Sequence, residues 1–424
     1  MQTMNKDIKI FTDMIEESAI EQIEKISSID AFKNAKIRIM PDVHAGKGCV
    51  CGFTADLGDK VVPNLIGVDI GCAVLVSKLD VADIDFKKLD KVIRRQIPSG
   101  TNVNGRDVVG DRRDYAANDC DPKNCWASFT SKEHEHFDKS LMSLGGGNHF
   151  CEIDKDKDGC LYLVIHCGSR NFGKKVCDYW QNVAVERAKE RAGIREASDF
   201  KEQVEEVKRR CIEQGHPELI SEEIAKLKAE NDEKLKAVED LDLAWLENED
   251  RDRYIHDMKI AQRWAALNRK MIAERICKAM GWTPIETFDT VHNYLGDDNI
   301  IRKSAISARA GEKVLIPMNM RDGSIIGIGK GNEDWNFSAP HGAGRTMSRS
   351  KAKDSISMQE YIKSMDGIFT TSVSEETVDE APMAYKPADK IIEQMSDTVE
   401  VIEVLKPVYN FKAPETRSFK KKDK

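Results

Sequence analysis

Four histidines stand in glycine-rich or turn-like surroundings, where an imidazole is well placed to do chemistry. The chain has nine histidines in 424 residues. The four lie in the strings GGGNHF, VIHCGSR, DTVHNYLG and SAPHGAGR, as His149, His166, His292 and His341. Imidazoles bind metal ions and act as nucleophiles, and a neighbouring glycine lets the backbone approach a ligand closely. A single such histidine is explained as a satisfied polar residue, but four together predict a common site.

Asp69 and Cys72 offer a carboxylate and a thiolate three residues apart in the string GVDIGC. We expect them at the end of a buried strand, facing one site. A thiolate with imidazoles and one carboxylate suits manganese, iron or zinc, whereas magnesium and calcium prefer oxygen ligands. Two metal ions that share the sulfur would suit phosphoryl chemistry. The alternative is that Asp69 is a turn residue and Cys72 a buried apolar filler.

The strings GGGNHF and HGAGR have small residues that expose successive backbone N–H groups, which can cradle an anion such as phosphate. Neither a G-x-x-x-x-G-K-[ST] loop nor a G-x-G-x-x-G turn after a strand is present, so any nucleotide is bound in another way. His341 in HGAGR is a candidate nucleophile toward phosphorus. Its alternatives are a metal ligand or a structural histidine.

Two stretches, 37–79 with Asp69 and Cys72 and 140–175 with His149 and His166, alternate short β-rich runs with Gly, Pro and Asp, as strands joined by turns do. The polar stretch 98–125 between them is predicted to be a long surface loop. Residues 176–280 have helical periodicity and form a predicted helical insertion, after which β-rich sequence returns. The highly charged part, 196–250, predicts either a projecting partner-binding arm or a solvated helix pair. The fold class is α/β, in one domain built from distant segments.

Composition indicates a globular protein that works in the cytoplasm. The chain is 40% hydrophobic and 33% charged, and we find neither an export signal nor a run of 18 apolar residues. Its eleven cysteines are therefore expected as free or metal-bound thiols. The net charge of −8 predicts that any nucleic-acid contact is local. Candidates are Arg112 with Arg113, the run from Arg345 to Lys353, and the basic C-terminal tail.

Eight strings, in order within a match that runs from about Met40 to Lys412, together resemble the signatures of the RtcB RNA-splicing ligases. They are MPDVHAGKG, GVDIGC, LGGGNHFCEI, IHCGSRNFG, VHNY, ISARAGEKVLIP, HGAGRTMSRSKAK and DEAPMAYK. The resemblance implies one RtcB-like catalytic domain over residues 1–424, with mixed β-sheets flanked by helices. Residues 176–280 are then a charged helical insertion within it. The basic tail 413–424 is expected to be disordered, with covering the pocket mouth or contacting RNA as alternatives.

The resemblance also implies the site. Two manganese ions are held by Asp69, Cys72, His149, His166 and His292, with Cys72 bridging them, and His341 becomes linked to GMP. Glu152 reads guanine, because a carboxylate can accept from donors that adenine lacks. The predicted nucleotide-binding set is Asn148, His149, Phe150, Glu152, His292, Asn293, Pro317, Asn319, Met320, Ser324, His341, Gly342, Ala343, Gly344, Tyr385 and Lys412.

The activity implied by the resemblance is GTP- and manganese-dependent ligation of RNA. His341 takes GMP from GTP, a 2′,3′-cyclic phosphate end is opened to a 3′-phosphate, and that phosphate receives the GMP. A 5′-hydroxyl end then attacks the activated end and GMP leaves. The implied role is RNA repair or tRNA splicing, by a monomer that does not act at a membrane and for which an activating protein partner is left open.

Three features depart from the family pattern. The string IPMNMRDGS has Asn319 where the family usually has a serine that contacts guanine. Cys167 replaces a commoner serine and places a thiol that can be oxidised beside His166. The chain also continues past Lys412 for a further twelve residues. These departures bear on guanine recognition, redox sensitivity and the tail.

Two other functions fit parts of the sequence. One is a metal-dependent phosphoesterase that opens cyclic phosphates, but a hydrolase that uses metal-bound hydroxide has no need of His341. The other is a non-catalytic RNA-binding relative that uses the helical arm. A complete set of metal ligands and a nucleophile disfavours this second alternative.

Overall fold

The structure is a computed structural model of the whole chain, and it describes residues 7–46, 48–109, 113–194, 197–237 and 240–414. Arg112 and residues 415–424 of the predicted tail lie outside these ranges. All eleven cysteines are described, and each is a free thiol. None of the helices in the described ranges combines the length and apolar character needed to cross a bilayer.

The strands are β1 (Ile8–Ile10), β2 (Ile37–His44), β3 (Cys51–Asp56), β4 (Lys60–Val61), β5 (Ala73–Leu79), β6 (Phe150–Lys155), β7 (Leu161–Cys167), β8 (Leu246–Glu247), β9 (Pro284–Val291), β10 (Asn293–Leu295), β11 (Ile300–Lys303), β12 (Ala305–Ser307), β13 (Lys313–Asn319), β14 (Gly323–Gly329), β15 (Ser338–Pro340), β16 (Phe369–Thr370) and β17 (Val399–Lys412). The α-helices are α1 (Glu17–Ser27), α2 (Pro63–Ile66), α3 (Phe86–Gln96), α4 (Arg113–Ala117), α5 (Ser131–Ser140), α6 (Arg170–Arg191), α7 (Ala197–Glu213), α8 (Ile220–Ala237), α9 (Asn248–Met280), α10 (Arg349–Ser355), α11 (Met358–Ser364) and α12 (Ala388–Gln394). Mixed β-sheets flanked by helices confirm the predicted α/β class.

The larger sheet has the order β13-β14-β17-β6-β7-β5-β9, and neighbouring strands along this path are antiparallel. The string LYLVIHC of β7 is buried along its whole length. Both faces of a central strand are covered, which explains its continuous apolar run. Ile165 packs in a core with residues of α3 and α9, while Val164 packs on the other face in a core that includes residues of β13 and β14.

Antiparallel pairing brings the termini of four neighbouring strands, β5, β6, β7 and β9, together at the same end of this sheet. Phe150 at the start of β6 pairs with His166 near the end of β7. Ala73 at the start of β5 pairs with Cys167 on one side and with Val291, at the end of β9, on the other. This row of paired strand ends is where the predicted site residues lie.

A second sheet has the order β1-β2-β3-β11-β10, with β1 parallel to β2 and the other pairs antiparallel. The β2–β3 pairing is irregular between Ile39 and His44. Lys386 holds this irregular segment, because its ammonium donates to the carbonyls of Pro41 and Val43 at 2.9 and 2.8 Å. The irregular segment positions Asp42 beside the predicted site residues.

Helices α6 to α9 occupy residues 170–280. Helix α9 packs across β5 and β7, whereas α7 and α8 contact each other and are mostly exposed where their side chains are described. Whether this pair is a partner-binding arm, and whether the chain is one domain with 176–280 as an insertion, stay predictions.

The prediction of a long surface loop over 98–125 is wrong in part. Helix α4 lies within it, and Tyr115 of that helix is fully buried. The Tyr115 hydroxyl donates to Asp138 at 2.9 Å and lies 3.3 Å from the indole nitrogen of Trp264. A single aromatic residue in a polar stretch gives no periodic signal, so the anchoring of this segment was not visible from the sequence. Ala413, the first residue of the predicted tail, is also buried, and its carbonyl accepts from the backbone N–H of Gly147.

Arg269 of α9 is fully buried and ties the helix to the converging strand ends. Its guanidinium donates to the carbonyls of Gly71 and Cys167, at 2.9 and 2.8 Å, and pairs with Asp289. These two carbonyls adjoin the predicted metal ligands Cys72 and His166. Arg269 therefore positions the loops on which those ligands sit.

We predict that Arg269→Met destabilises the protein by about 2–4 kcal/mol, because two buried backbone carbonyls lose their donor and the partly exposed Asp289 carboxylate loses its partner. Urea denaturation followed by circular dichroism measures the change. The matched control is Lys270→Met, one residue on, whose exposed side chain predicts a change within about 0.5 kcal/mol. Equal denaturation midpoints for the two variants would contradict the anchoring role.

Candidate active site

The five predicted metal ligands meet at the edge of the larger sheet where the four strand ends converge. Cys72 directly precedes β5, His149 directly precedes β6, His166 lies near the end of β7, and His292 directly follows β9. Asp69 lies in the loop before Cys72. Each of the five is contributed by a strand end or its flanking loop, and the antiparallel register brings these positions together.

Contacts link the five side chains in one chain with Cys72 at its middle. The sulfur of Cys72 lies 3.3 Å from Nε2 of His149 and 3.3 Å from Nε2 of His166. Oδ2 of Asp69 lies 2.9 Å from Nε2 of His149, and Nε2 of His292 lies 3.3 Å from Nε2 of His166. In the described part of the chain, Cys72, His149 and His166 have ligand atoms that all lie within 4.8 Å of one another.

The expectation that Asp69 and Cys72 lie at the end of a strand is wrong. They lie in the loop before β5, because Gly67 and Gly71 have φ angles of 86° and 66°, in the left-handed region, and turn the chain there. The backbone N–H of Ser169 donates to Asp69 at 3.0 Å and fixes its carboxylate. A Cβ at position 168 would lie 2.0 Å from Oδ1 of Asp69, so the close approach requires Gly168.

Burial and mutual charge set the protonation of this cluster. Burial opposes the ionisation of Asp69, but the charge and hydrogen bond of His149 outweigh it and lower the Asp69 pKa to about 2. Burial, together with neighbouring imidazoles, lowers the pKa of His166 and of His292 well below the usual value. Burial and Asp69 raise the pKa of the Cys72 thiol. Two histidines are therefore neutral, as metal ligands must be, and a metal would displace the thiol proton.

These residues fit a transition-metal ion. The donor set is one sulfur, three imidazole nitrogens and a carboxylate, which matches the softness that manganese, iron and zinc accept. Separations of 3.3 Å between donor atoms are close to those of ligands that share one ion at about 2.0–2.3 Å. Nε2 is the ring atom of His149 that is turned toward the cluster. Its Nδ1 is buried without a hydrogen-bond partner among the described residues.

A cavity of about 620 Å³ opens beside the cluster. His166 lies on its wall, so the cavity and the cluster share a boundary. The other members of the predicted site that line it are Asn148, Phe150, Glu152, Pro317, Asn319, Met320, His341, Gly342, Ala343, Gly344, Tyr385 and Lys412. Its volume is that of a typical small-ligand site.

His341 stands between the cavity and the cluster, directly after β15. Oδ2 of Asp42 lies 2.7 Å from Nδ1 of His341 and also accepts from its backbone N–H at 3.1 Å. The ring centroids of His341 and His292 are 4.9 Å apart. Gly344 has a φ of 70°, and a Cβ there would lie 2.1 Å from the carbonyl oxygen of Asp42. The HGAGR loop therefore packs closely against the irregular segment of β2. Asp42 contacts Nδ1 of His341 and not Nε2.

Four predicted nucleotide contacts do not line the cavity: His149, His292, Asn293 and Ser324. The first two belong to the cluster. The Asn293 side chain donates to the carbonyl of Asp69 at 3.2 Å and accepts from the N–H of Ser304 at 2.9 Å, so it braces the loop that carries Asp69. Ser324 is fully buried in β14.

Asn319 lines the cavity, but its side chain is engaged in the β13–β14 turn. Its oxygen accepts from the backbone N–H groups of Arg321 and Asp322, both at 3.0 Å, and its nitrogen donates to the Asp322 carboxylate at 2.8 Å. The side-chain polar atoms that would replace the family's serine are therefore committed to the turn.

Glu152 is a buried carboxylate on the cavity wall. It accepts a hydrogen bond from Asn410 of β17, and Asp154, two residues on, is also fully buried. Burial and the neighbouring Asp154 raise the pKa of Glu152 well above its ordinary value. Burial raises the pKa of Asp154 to about 6. At neutral pH this pair therefore holds a proton.

Glu380 ties together three parts of the cavity wall. Its carboxylate accepts from the hydroxyl of Tyr385 at 2.6 Å and from the ammonium of Lys412 at 2.7 Å, and it pairs with Arg349. Burial opposes its ionisation, but the charges of Lys412 and the arginines outweigh it and hold the pKa of Glu380 well below the usual range. Two predicted nucleotide contacts, Tyr385 and Lys412, are thus held by one carboxylate.

Asp42, Glu380 and Asn410 were missed as site residues by reasoning from the sequence. Asp42 and Glu380 do stand inside two of the family-like strings, MPDVHAGKG and DEAPMAYK, which is the signal that could have found them. Cys167 is fully buried, and burial raises its pKa. The expected easily oxidised thiol beside His166 is therefore shielded.

Comparison with known proteins places this geometry in a family. The family model described as tRNA-splicing ligase RtcB matches residues 22–413. The RNA-splicing ligase RtcB of Escherichia coli K12 is 29% identical over 96% of this chain and 97% of its own length. The tRNA-splicing ligase RtcB of Archaeoglobus fulgidus is 26% identical, over 90% of this chain and 87% of its own. Because the family model spans nearly all of the residues that build the site, this chain belongs to the RtcB family.

Proposed function

We propose that this protein is an RNA ligase that uses GTP and manganese to join RNA ends bearing a 2′,3′-cyclic phosphate or 3′-phosphate to 5′-hydroxyl ends. Membership of the RtcB family and relatives named RNA-splicing or tRNA-splicing ligases support this function. The observation that carries it is the position of His341, on the cavity wall and 4.9 Å from the ring of His292.

His341 is the nucleophile of the first step. A carboxylate can only accept, so the 2.7 Å contact with Asp42 is made by an Nδ1–H, and Nε2 keeps its lone pair. Nε2 attacks the α-phosphorus of GTP, the bond to the β-phosphate breaks, and pyrophosphate leaves. Asp42 also stabilises the positive charge that develops on the ring as it attacks, as an orienting carboxylate does for a catalytic histidine.

Asp69, Cys72, His149, His166 and His292 would hold the two manganese ions. When bound, these supply positive charge at the phosphate oxygens and offset the charge that develops during transfer. Cys72 stands at the middle of the cluster and would contribute its thiolate as a ligand. Asn293 and Arg269 hold the backbone of the ligand-bearing loops by hydrogen bonds to Asp69 and Gly71.

The later steps use RNA as substrate. A cyclic end is opened by water to a 3′-phosphate, one of whose oxygens attacks the phosphorus carried by His341 and releases the imidazole. The incoming 5′-hydroxyl then attacks the 3′-phosphorus, and GMP leaves with the electrons of the phosphoanhydride bond. Arg345 and Arg349 line the cavity, which supports the basic run 345–353 as the local contact for RNA phosphates.

Glu152 and Lys412 are assigned to the nucleotide. An ionised Glu152 can accept from two adjacent donors of guanine, which adenine lacks. Since the Asn319 side chain is committed to the turn, Glu152 carries guanine selectivity without it. We further assign the protein to the cytoplasm as a monomer, working in RNA repair or tRNA splicing, and leave an activating protein partner open.

We predict that the protein, incubated with manganese and α-labelled GTP, retains label that survives a denaturing gel and is released by acid. His341→Ala should reduce the label to background because it removes the attacking nitrogen. The control is His216→Ala, a histidine exposed between α7 and α8, which should label fully. Label on neither protein, or on His341→Ala as well, would exclude His341 guanylylation and favour the cyclic phosphoesterase or the non-catalytic RNA-binding relative.

We predict that Cys72→Ser weakens manganese binding at least about 100-fold, since loss even of an outer-sphere partner typically costs 10- to 100-fold in metal affinity. Isothermal titration calorimetry of metal-stripped protein gives the affinity and the number of ions bound. Cys160→Ser, at a half-buried cysteine outside the cluster, is the matched control. Equal affinities for the two variants would remove Cys72 from the metal site.

We predict that GTP binds more tightly as pH rises from 6 to 8. Guanine requires the ionised form of Glu152, whose pKa is raised in the free protein, so binding releases a proton and is favoured at higher pH. Asp154→Asn removes the neighbouring carboxylate and should flatten this dependence, with affinity at pH 6 increased several-fold. Isothermal titration calorimetry gives the affinity of both proteins at each pH. Because GTP ionises in the same way in both experiments, the difference between the two pH profiles does not contain its titration. An equal slope in the two proteins would show that the pair does not govern binding.

A further inference from the structure

His44 and Cys51 form a second reactive cluster, which the ligation mechanism does not use. They are partners in the antiparallel pairing of β2 with β3, so their side chains lie across from each other. Both are partly exposed, and both line the cavity that also contains His341. Neither belongs to the metal cluster.

Polar and positively charged groups surround the sulfur of Cys51. The imidazole of His44 on β2, the ammonium of Lys303 at the end of β11 and the hydroxyl of Ser304 all act on it. Nδ1 of His44 lies 3.0 Å from the carbonyl oxygen of Asp42 and donates to it, which fixes the ring. Cys49 is the other thiol that faces this group.

These neighbours favour the thiolate. Burial raises the pKa of Cys51, but the charge and hydrogen bond of His44, with Lys303, outweigh it and lower the pKa to about 6. Burial lowers the pKa of His44, but Cys51 and Asp42 outweigh it and raise it to about 9. Between these values the two side chains form a thiolate–imidazolium pair. This is the environment typical of reactive cysteines: electropositive and partly exposed.

The other cysteines with a shifted pKa differ from Cys51. Burial raises the pKa of Cys49 to about 12, of Cys120 to about 12 and of Cys277 to about 11, and it raises the pKa of Cys72 as well. Among the described thiols whose pKa is shifted, Cys51 alone shifts downward. Accessibility, the facing histidine and the nearby ammonium coincide at this position.

We propose that Cys51 is a modification site that small organic disulfides reach through the cavity. The sulfur of Cys51 attacks one sulfur of the disulfide, whose S–S bond breaks, and a mixed disulfide forms at Cys51. The second half of the disulfide leaves as a thiolate and takes a proton from the His44 imidazolium or from water. Cys51 is thus oxidised, and one half of the disulfide is reduced to a thiol.

The attached group projects into the cavity and competes with a nucleotide for space. This consequence rests on the proposed function, in which the cavity holds GTP. The modification itself does not, because it depends only on the side chains around Cys51. Reduction by added thiol reverses it, since the bond formed is a disulfide.

The test treats the full-length protein with bis(2-hydroxyethyl) disulfide at pH 6 and at pH 9, with peptide mass spectrometry after acid quenching. At pH 6 about half of a thiol with a pKa of about 6 is ionised, against about 0.3% of an ordinary thiol with a pKa of about 8.5. The lower nucleophilicity of the more acidic thiolate offsets part of this gain. We expect Cys51 to react about tenfold faster than a cysteine peptide at pH 6 and more slowly than the peptide at pH 9.

Cys160, half-buried and not assigned to the cavity, is the control position in the same digest. His44→Asn should remove the rate advantage at pH 6 while leaving Cys51 in place. The thiolate absorbance of wild-type protein minus that of Cys51→Ser, titrated from pH 5 to 9, gives a second readout that does not depend on the His44 variant folding. Preferential modification at Cys51 with a titration midpoint near 6 supports the proposal. A midpoint above 8, or modification of Cys160 at the rate of Cys51, overturns it.

The Cys51 modification and the GTP-labelling experiments together distinguish the two proposals. If Cys51 is modified and labelling of His341 by GTP is blocked until thiol is added, both stand. If Cys51 is modified but the unmodified protein never labels, the modification site stands and the ligase function fails. If labelling occurs and Cys51 stays unmodified at pH 6, the modification site alone fails.

Discussion

The register of β7 between β5 and β6 is the constraint on which the site depends. His166 pairs with Phe150 on one side and with Val74 on the other. Successive side chains of a strand point to opposite faces, so a slip of one residue would turn His166 away from Cys72. The apolar run of β7 resists such a slip, because Ile165 and Val164 pack into different cores on the two faces. Packing in the sheet thus sets the distances between the metal-binding atoms.

Buried charged groups of the site have hydrogen-bond or ion-pair partners. Asp42 accepts from His341, Glu380 pairs with Lys412 and Arg349, and Arg269 pairs with Asp289. The net cost of burying such groups is recovered only when their remaining hydrogen bonds are also made. Glu152 with Asp154 is the exception, since two carboxylates adjoin there, and the consequence is a retained proton instead of a second charge.

The residues of the site could be predicted from the sequence better than the residues that hold them in position. The four histidines stand out because glycine-rich strings around an imidazole are rare for a core position, and the structure brings all four to one region. Asp42 stands in a family-like string, but its contact with His341, 299 residues away, could not be read from that string. The burial of Tyr115 could not be predicted either, because a single aromatic residue in a polar stretch makes no periodic pattern. The strand assignment of Asp69 failed for a different reason, since Pro63–Ile66 form helix α2, and Gly67 and Gly71 turn the chain before β5 begins at Ala73.

The larger sheet is completed by the strand that is translated last among its members. β17 lies between β14 and β6, so until residues 399–412 leave the ribosome, these two neighbours present unpaired edges toward each other. Lys412, the final residue of β17, pairs with Phe150 beside His149, more than 250 positions earlier in the chain. An incomplete nascent chain therefore cannot assemble the pocket, and it exposes sheet edges that are prone to pairing with other chains. The interval between synthesis of β6 and synthesis of β17 therefore sets how long these sheet edges stay unpaired in the nascent chain.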